Sequence, residues 1–477
     1  MRSCPRFLFL LPLLLAAPHV RADNPKPIEA PKTFDLRAID AYVADQVRAK
    51  GYPGLALAIV RDGKVVLAKG YGRRSLASDE PVEPDTPLAI GSVTKQFTCA
   101  CILLLAEEGK LSIEDRVAKY YPDLTRARDI TLYDLMTHTS GYPDYYPLDF
   151  VDRRMRKPCD IDRLLAEYAG GKLDFEPGTR WSYSNTGFLL LGRVIEKVSK
   201  EPMRRFLERR ILEPLGMKHS MFEPGSEVAG LAQGYTSFAL GPAEPSTREA
   251  EGWVHAAGGL WASASDLARW DLALMEGKVL KPESYRLLST RRKLQNGKTK
   301  DYGCGMGVIE RDGETILTHS GAVSGFMAFN ALVPRTKSAV ILLTNSEHLD
   351  PGALHQTILS LLLKDQTDKE APEVPKVHGP SAKDAALDFF HQMQAGKVDR
   401  GKLSEEFSIY LTDERLKSAA PRLKALGEPD KIEVQHTLER GGMEVTLLRF
   451  TFKDAVLKAS LYRTPDGKIQ QLLFSKG

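Results

Sequence analysis

The strongest constraint on the fold is where the strand-like segments lie. Two alternate cleanly near the start, Gly54–Val60 and Lys64–Gly70, with Arg61-Asp62-Gly63 as the turn between them. The next clear group lies far downstream: Gly305–Glu310, Glu314–His319, Phe326–Val333 and Ser338–Thr344. Between the two groups, residues 91–290 read as mostly helical with long loops. A helix over 34–50 precedes the first group, and one over 352–364 follows the second. Strands from both ends of a unit with helices between them predict one antiparallel sheet flanked by helices, an α/β (α+β) sandwich with an all-helical subdomain inserted.

At 477 residues the chain exceeds one ordinary core. Residues 366–382 are polar, contain three prolines and read as a linker. Beyond them, 383–477 forms a second unit with helices over 383–427 and then four strands: Lys431–Leu438, Met443–Phe452, Val456–Arg463 and Lys468–Phe474. Gly441-Gly442 and Asp466-Gly467 mark hairpin turns. The order predicts a small C-terminal α+β domain whose last strand is a pairing edge.

The N-terminus carries Arg2 and Arg6, an apolar run from Phe7 to Ala17, and Val20-Arg21-Ala22. This is the pattern of a signal peptide over residues 1–22, and it predicts a secreted or periplasmic protein. The run is too short for a membrane span. A net charge of +4 does not point to nucleic acid, and the basic runs at 153–157 and 291–293 read as solvated faces. Cys99, Cys101, Cys159 and Cys304 form no dense disulfide framework and read as buried free thiols. No CxxC or HExxH spacing occurs, so no metal and no cofactor is expected. Nothing in the sequence sets an oligomeric state.

Chemistry enters at "GSVTKQFTCACILLLAEEGKL", residues 91–111. Ser92 and Lys95 stand three apart at the start of an apolar helix and share a face. A serine needs a base to act as a nucleophile, and an amine among apolar side chains loses its proton more readily. The helix N-terminus also favours a developing oxyanion. Alone, the pair also fits an N-cap serine and a snorkelling lysine. Two further stretches shift the balance: Tyr183-Ser184-Asn185 before a second apolar helix, and His319-Ser320-Gly321 ending a strand.

In this order, and with "LYDLMTHTSGY" (132–142), "EPGTRWSYSNTGF" (176–188) and "AAGGLWASASDLARW" (256–270), these motifs resemble the penicillin-recognising serine hydrolases. That family includes class C β-lactamases, D-Ala-D-Ala carboxypeptidases, D-aminopeptidases and esterases, and the resemblance covers residues 34–365. It implies Ser92 as acylated nucleophile, Lys95 as its base and Tyr183 as proton relay. It implies that Asn185 bonds the acyl-side amide of the substrate. It places the oxyanion hole at the backbone amides of Ser92 and Ala322, and the third motif, His319, Ser320 and Gly321, against the substrate.

Many members carry Lys-Thr-Gly at the third motif. Histidine at 319 is a weaker clamp for a carboxylate, which counts against efficient β-lactam hydrolysis. The implied activity is therefore acyl-enzyme hydrolysis of small esters, amides or D-amino-acid peptides. A true β-lactamase and a non-catalytic penicillin or peptide sensor are the alternatives. His138-Thr139-Ser140-Gly141 and Gly258-Gly259 read as structural turns, and Tyr142, Tyr145 and Tyr146 as lining the entrance. The C-terminal domain shows no catalytic constellation and resembles the small nuclear-transport-factor-like (NTF2-like) type.

Overall fold

A computed structural model describes residues 28–146, 148, 151–225, 227–311, 313–363 and 374–477. The expected signal peptide and the first part of the expected linker lie outside the described residues. The main sheet has six antiparallel strands: β1 (Gly54–Arg61), β2 (Lys64–Gly72), β3 (Gly307–Arg311), β4 (Glu314–Val323), β5 (Phe326–Val333) and β6 (Ser338–Thr344). Their spatial order is β3-β4-β5-β6-β1-β2, so the early pair joins the late group through β1 and β6. The register sets Leu57 opposite Leu342 and Ile59 opposite Val340.

Period-two alternation divides the side chains of β1 between two cores. Leu55, Leu57 and Ile59 pack with Ile39, Val43 and Val47 of α1 (Leu36–Lys50). Leu354, Ile358 and Leu359 join them on that face. Ala56, Ala58 and Val60 face the inserted helices on the other side. There α2 (Thr94–Glu107) lies against α3 (Asn185–Ser199), and α4 (Ala264–Met275) covers β1 and β6. Every residue of α2 from Thr94 to Leu105 is buried, so this helix has no solvent face.

β4 is longer than the sequence implies. Its pairing with β5 runs past His319-Ser320-Gly321 to Val323 opposite Phe326. β3 stops at Gly307 opposite Thr318, which leaves residues 319–323 without a strand on that side. The short 3-10 turn Gly91–Val93, which leads into α2, packs there instead.

The C-terminal part is a separate sheet domain. β7 (Lys431–Arg440), β8 (Met443–Thr451), β9 (Val456–Arg463) and β10 (Ile469–Lys476) form a meander in sequence order, with β10 at one edge. Phe389, Phe390, Phe407, Phe450 and Phe474 from its helices and sheet share one core. Among the described residues, no helix is long and apolar enough to cross a membrane.

Candidate active site

Ser92 sits in the 3-10 turn at the head of α2, and glycine on both sides of the junction lets the sheet reach it. Gly91 has φ +49°, and a Cβ there would come within 2.8 Å of the Ala322 nitrogen. A Cβ on Gly321 would come within 1.9 Å of the Ile90 oxygen and 3.0 Å of the Ser92 nitrogen. No side chain fits in either place. This contact sets the amides of Ser92 and Ala322 side by side beside the serine, the arrangement an oxyanion site requires. Ser320 and Ala322 are exposed on one face of β4, whereas His319 and Gly321 point inward.

Lys95 is fully buried, one turn along. Its Nζ is 3.1 Å from Ser92 Oγ, 2.7 Å from Asn185 Oδ1 and 2.7 Å from the Ala257 carbonyl. The rings of Tyr183 and Phe188 flank it, with centroids 4.9 and 5.1 Å away. Burial pushes its pKa down to about 7, Asp144 opposes that shift, and Arg440 adds to it. A neutral amine has two hydrogens and one lone pair. The hydrogens satisfy Asn185 Oδ1 and Ala257 O, which turns the lone pair toward the Ser92 hydroxyl.

Asn185 opens α3 and both of its amide hydrogens are engaged. Nδ2 donates to Asp144 Oδ2 and to the Tyr146 carbonyl, each at 3.2 Å, which aims Oδ1 at Lys95. Asp144 Oδ1 also accepts the Asn185 backbone amide at 3.0 Å. In this geometry Asn185 positions Lys95.

The Tyr183 hydroxyl is buried and has no partner in hydrogen-bonding geometry among the described residues. Burial raises its pKa, and the nearby Ser92 hydroxyl and Arg440 lower it by less. Tyr183 is therefore a protonated phenol at neutral pH. Behind it lies a chain of rings. The Ser184 amide donates to His138 Nδ1 at 3.1 Å, so the His138 proton is on Nε2, 3.2 Å from Tyr302 Oη. Tyr302 Oη is 2.9 Å from His319 Nε2, and His319 Nδ1 is 2.5 Å from the Ser320 carbonyl. The consistent assignment is His138 Nε2–H to Tyr302, Tyr302 O–H to His319, and His319 Nδ1–H to Ser320. Both imidazoles are neutral: burial and the charge on Lys95 hold His319 down at about 3 and His138 well below its usual range.

The structure thus gathers Ser92, Lys95, Tyr183, Asn185, His319, Ser320, Gly321 and Ala322 at one place. It corrects three readings. His138 is a residue of the site as well as part of a turn, with its ring 4.2 Å from that of Tyr183. Its φ of +57° signals an unusual backbone that no periodicity reveals. Tyr142 and Tyr145 are core residues whose hydroxyls donate to the carbonyls of Thr125 and Trp253. Only Tyr146 of the three borders the gathered residues, through its carbonyl on Asn185, with its hydroxyl on Glu249. Asp144, Tyr302 and Arg440 carried no signal in the sequence. Among the described residues, no three His, Cys, Asp or Glu side chains gather as a metal-binding group.

Comparisons with known proteins place the chain in a family. The chain is 29% identical over 318 residues to Protein flp of Staphylococcus aureus (strain MRSA252), covering 64% of this chain and 62% of that protein. It is 30% identical over 302 residues to a D-aminopeptidase of Brucella anthropi, covering 61% and 56%. The chain thus spans less than two thirds of the length of these relatives. Among solved structures, an octameric penicillin-binding protein homologue from Pyrococcus abyssi superposes with a TM-score of 0.63 at 24% identity, covering 92% of this chain and 98% of that one. A D-amino acid amidase from Ochrobactrum anthropi SV3 gives 0.59 at 22%, covering 69% and 97%. The Beta-lactamase family model matches residues 39–363, from α1 through the sheet to the helix that follows β6, and the chain belongs to that family.

Proposed function

We propose that this protein is an exported serine hydrolase that acts on small esters or amides, D-amino-acid peptides among them, through a covalent acyl-enzyme. The observation that carries the reading is the Lys95 amine, buried and held 3.1 Å from Ser92 Oγ by two carbonyl acceptors. Ser92 Oγ bonds to the substrate carbonyl carbon while its proton passes to Lys95 Nζ. The oxyanion lies between the amides of Ser92 and Ala322. The bond to the leaving oxygen or nitrogen then breaks, and that atom takes a proton from Tyr183, which recovers it from Lys95. Water repeats the sequence on the acyl-enzyme and restores Ser92.

The D-aminopeptidase relative supports an amide or peptide substrate of D configuration. A penicillin carboxylate finds no lysine at 319, and both nitrogens of His319 are engaged within the protein. That observation favours the peptidase or esterase reading over a β-lactamase that clamps the carboxylate at the third motif. Intact-mass spectrometry after mixing with p-nitrophenyl acetate tests the mechanism. An acetyl adduct and nitrophenolate turnover are expected for the wild type and neither for Ser92→Ala. Equal turnover by the two proteins would exclude Ser92 as nucleophile.

A further inference from the structure

The second domain reaches the catalytic cleft. Its first hairpin, β7–β8, turns at Gly441-Gly442, both with positive φ (60° and 77°). At the tip, Glu439 Oε1 accepts Ser182 Oγ at 2.7 Å and the Gly442 amide at 2.9 Å. Ser182 immediately precedes Tyr183. On the other side, Leu148, four residues past Asp144, packs with Leu438, Met443, Val445 and Tyr462. The tip is therefore fixed at two places, beside Tyr183 and near Asp144. Arg440 stands between these two anchors, half-buried, with Nη1 donating to Tyr462 Oη at 3.1 Å. Beside the turn, Glu444, which stands opposite Glu439, pairs at 2.6 Å with the buried Arg463 of β9.

We propose that this hairpin tip completes the substrate cleft from the second domain: Glu439 fixes the segment that carries Tyr183, and Arg440 is the cation that receives a substrate carboxylate. The inference rests on the acyl-enzyme reading above and adds a substrate class to it, esters or amides that bear an anionic group. Two observations support the assignment. The third motif supplies no positive charge, since His319 is neutral and internally bonded. And the charge of Arg440 acts on three residues of the site, Asp144, Lys95 and Tyr183. Among the charges that oppose the burial of Asp144, that of Arg440 is the largest, ahead of Lys95. A guanidinium keeps its charge at any working pH and offers a planar fork suited to a carboxylate.

The test uses the full-length chain as wild type, Arg440→Ala and Arg440→Lys. The probes are two matched ester pairs, one member neutral and one anionic: p-nitrophenyl butyrate against mono-p-nitrophenyl succinate, and phenyl acetate against 3-acetoxybenzoate. Measured at pH 9, the wild type should prefer the anionic member of at least one pair in kcat/KM. Arg440→Ala should lose at least ten-fold of that preference, and Arg440→Lys should keep part of it.

The acidic limb of the pH–kcat/KM profile should also move to higher pH in Arg440→Ala, because a positive neighbour of Lys95 is gone. The other titratable groups facing Lys95 are Asp144, the Cys99 thiol, Tyr183, His138 and His319, and all of them remain. Arg440→Lys should keep the limb in place. No anionic preference in the wild type, or equal losses on both members of each pair with an unmoved limb, would overturn the proposal. Either result is distinct from failure of the acyl-enzyme reading, which shows as a wild type that hydrolyses none of the four esters.

Discussion

A lysine buried without a carboxylate in contact among the described residues is costly while it is charged, and the proposed mechanism draws on that cost. Lys95 has three partners for Nζ, and two of them, Asn185 Oδ1 and Ala257 O, can only accept. The deprotonated amine satisfies both and keeps a lone pair for Ser92. With a pKa near 7, the base is present above that pH and lost below it. kcat/KM for p-nitrophenyl acetate should therefore fall about ten-fold per pH unit below ~7 and level off above it. A profile flat from pH 5 to 8 would remove Lys95 from the base role. Lys95→Arg should lower kcat/KM by about 10² to 10⁴-fold, since a guanidinium stays protonated throughout that range. Ser92 and Lys95 stood out in the sequence as a pair three apart on one helix face, whereas Tyr183 stood out only through the family resemblance that its motif carries. His138, Tyr302 and Asp144 were not legible as site residues. They meet the site through loop backbone and through contacts across 164 and 41 residues of sequence, which no local period encodes.

At the scale of the element, α4 meets the sheet through a polar pair in an otherwise apolar layer. Asn330 Nδ2 on β5 donates to Asp271 Oδ1 on α4 at 2.8 Å. Asp271 Oδ2 and Asn330 Oδ1 are both buried and make no hydrogen bond among the described residues. A proton on Asp271 Oδ2 closes the ring between them, and burial raises that carboxyl to about 8. The folded chain holds this proton up to about pH 8, whereas an unfolded aspartate releases it near 4. The stability the group contributes is therefore full below about pH 4 and is lost as the pH rises toward 8. Asp271→Asn keeps both hydrogen bonds and does not titrate. Its Tm relative to wild type should rise between pH 5 and pH 9, by about 2 °C or more. A difference independent of pH would mean that the carboxyl is not protonated in the folded state. The strands of this layer were readable from alternation and turn residues. The overrun of β4 to Val323 was not, because Ser320 and Gly321 look like an ending, and only the closely packed Gly91 shows why small residues belong inside that strand.

At the scale of the molecule, the sequence shows two folding units and a proline-rich stretch between them but not how they are joined. The join is an insertion. Phe238 and Ala239, from the catalytic part, are buried in the C-terminal core with Phe389, Phe407, Leu416 and Leu423. Arg422 of the C-terminal helix Asp413–Lys424 donates to both of their carbonyls, at 3.3 and 3.1 Å. Arg153 also bridges to Glu405 and Glu406 at 2.7 and 3.1 Å, but its side chain is 58% exposed. Apolar burial and exposed ion pairs differ several-fold in worth. Phe238→Ala should cost about 3 kcal/mol and lower the thermal transition. Arg153→Ala should change stability by no more than about 0.5 kcal/mol. The contrast also reaches catalysis, because the hairpin that carries Arg440 belongs to the same sheet domain. If Phe238 sets the docking of that domain, Phe238→Ala should lose the preference for anionic esters along with stability, and Arg153→Ala should lose neither. Should Phe238→Ala be destabilised yet keep the preference, the tip is held at the cleft by Ser182 and Leu148 alone.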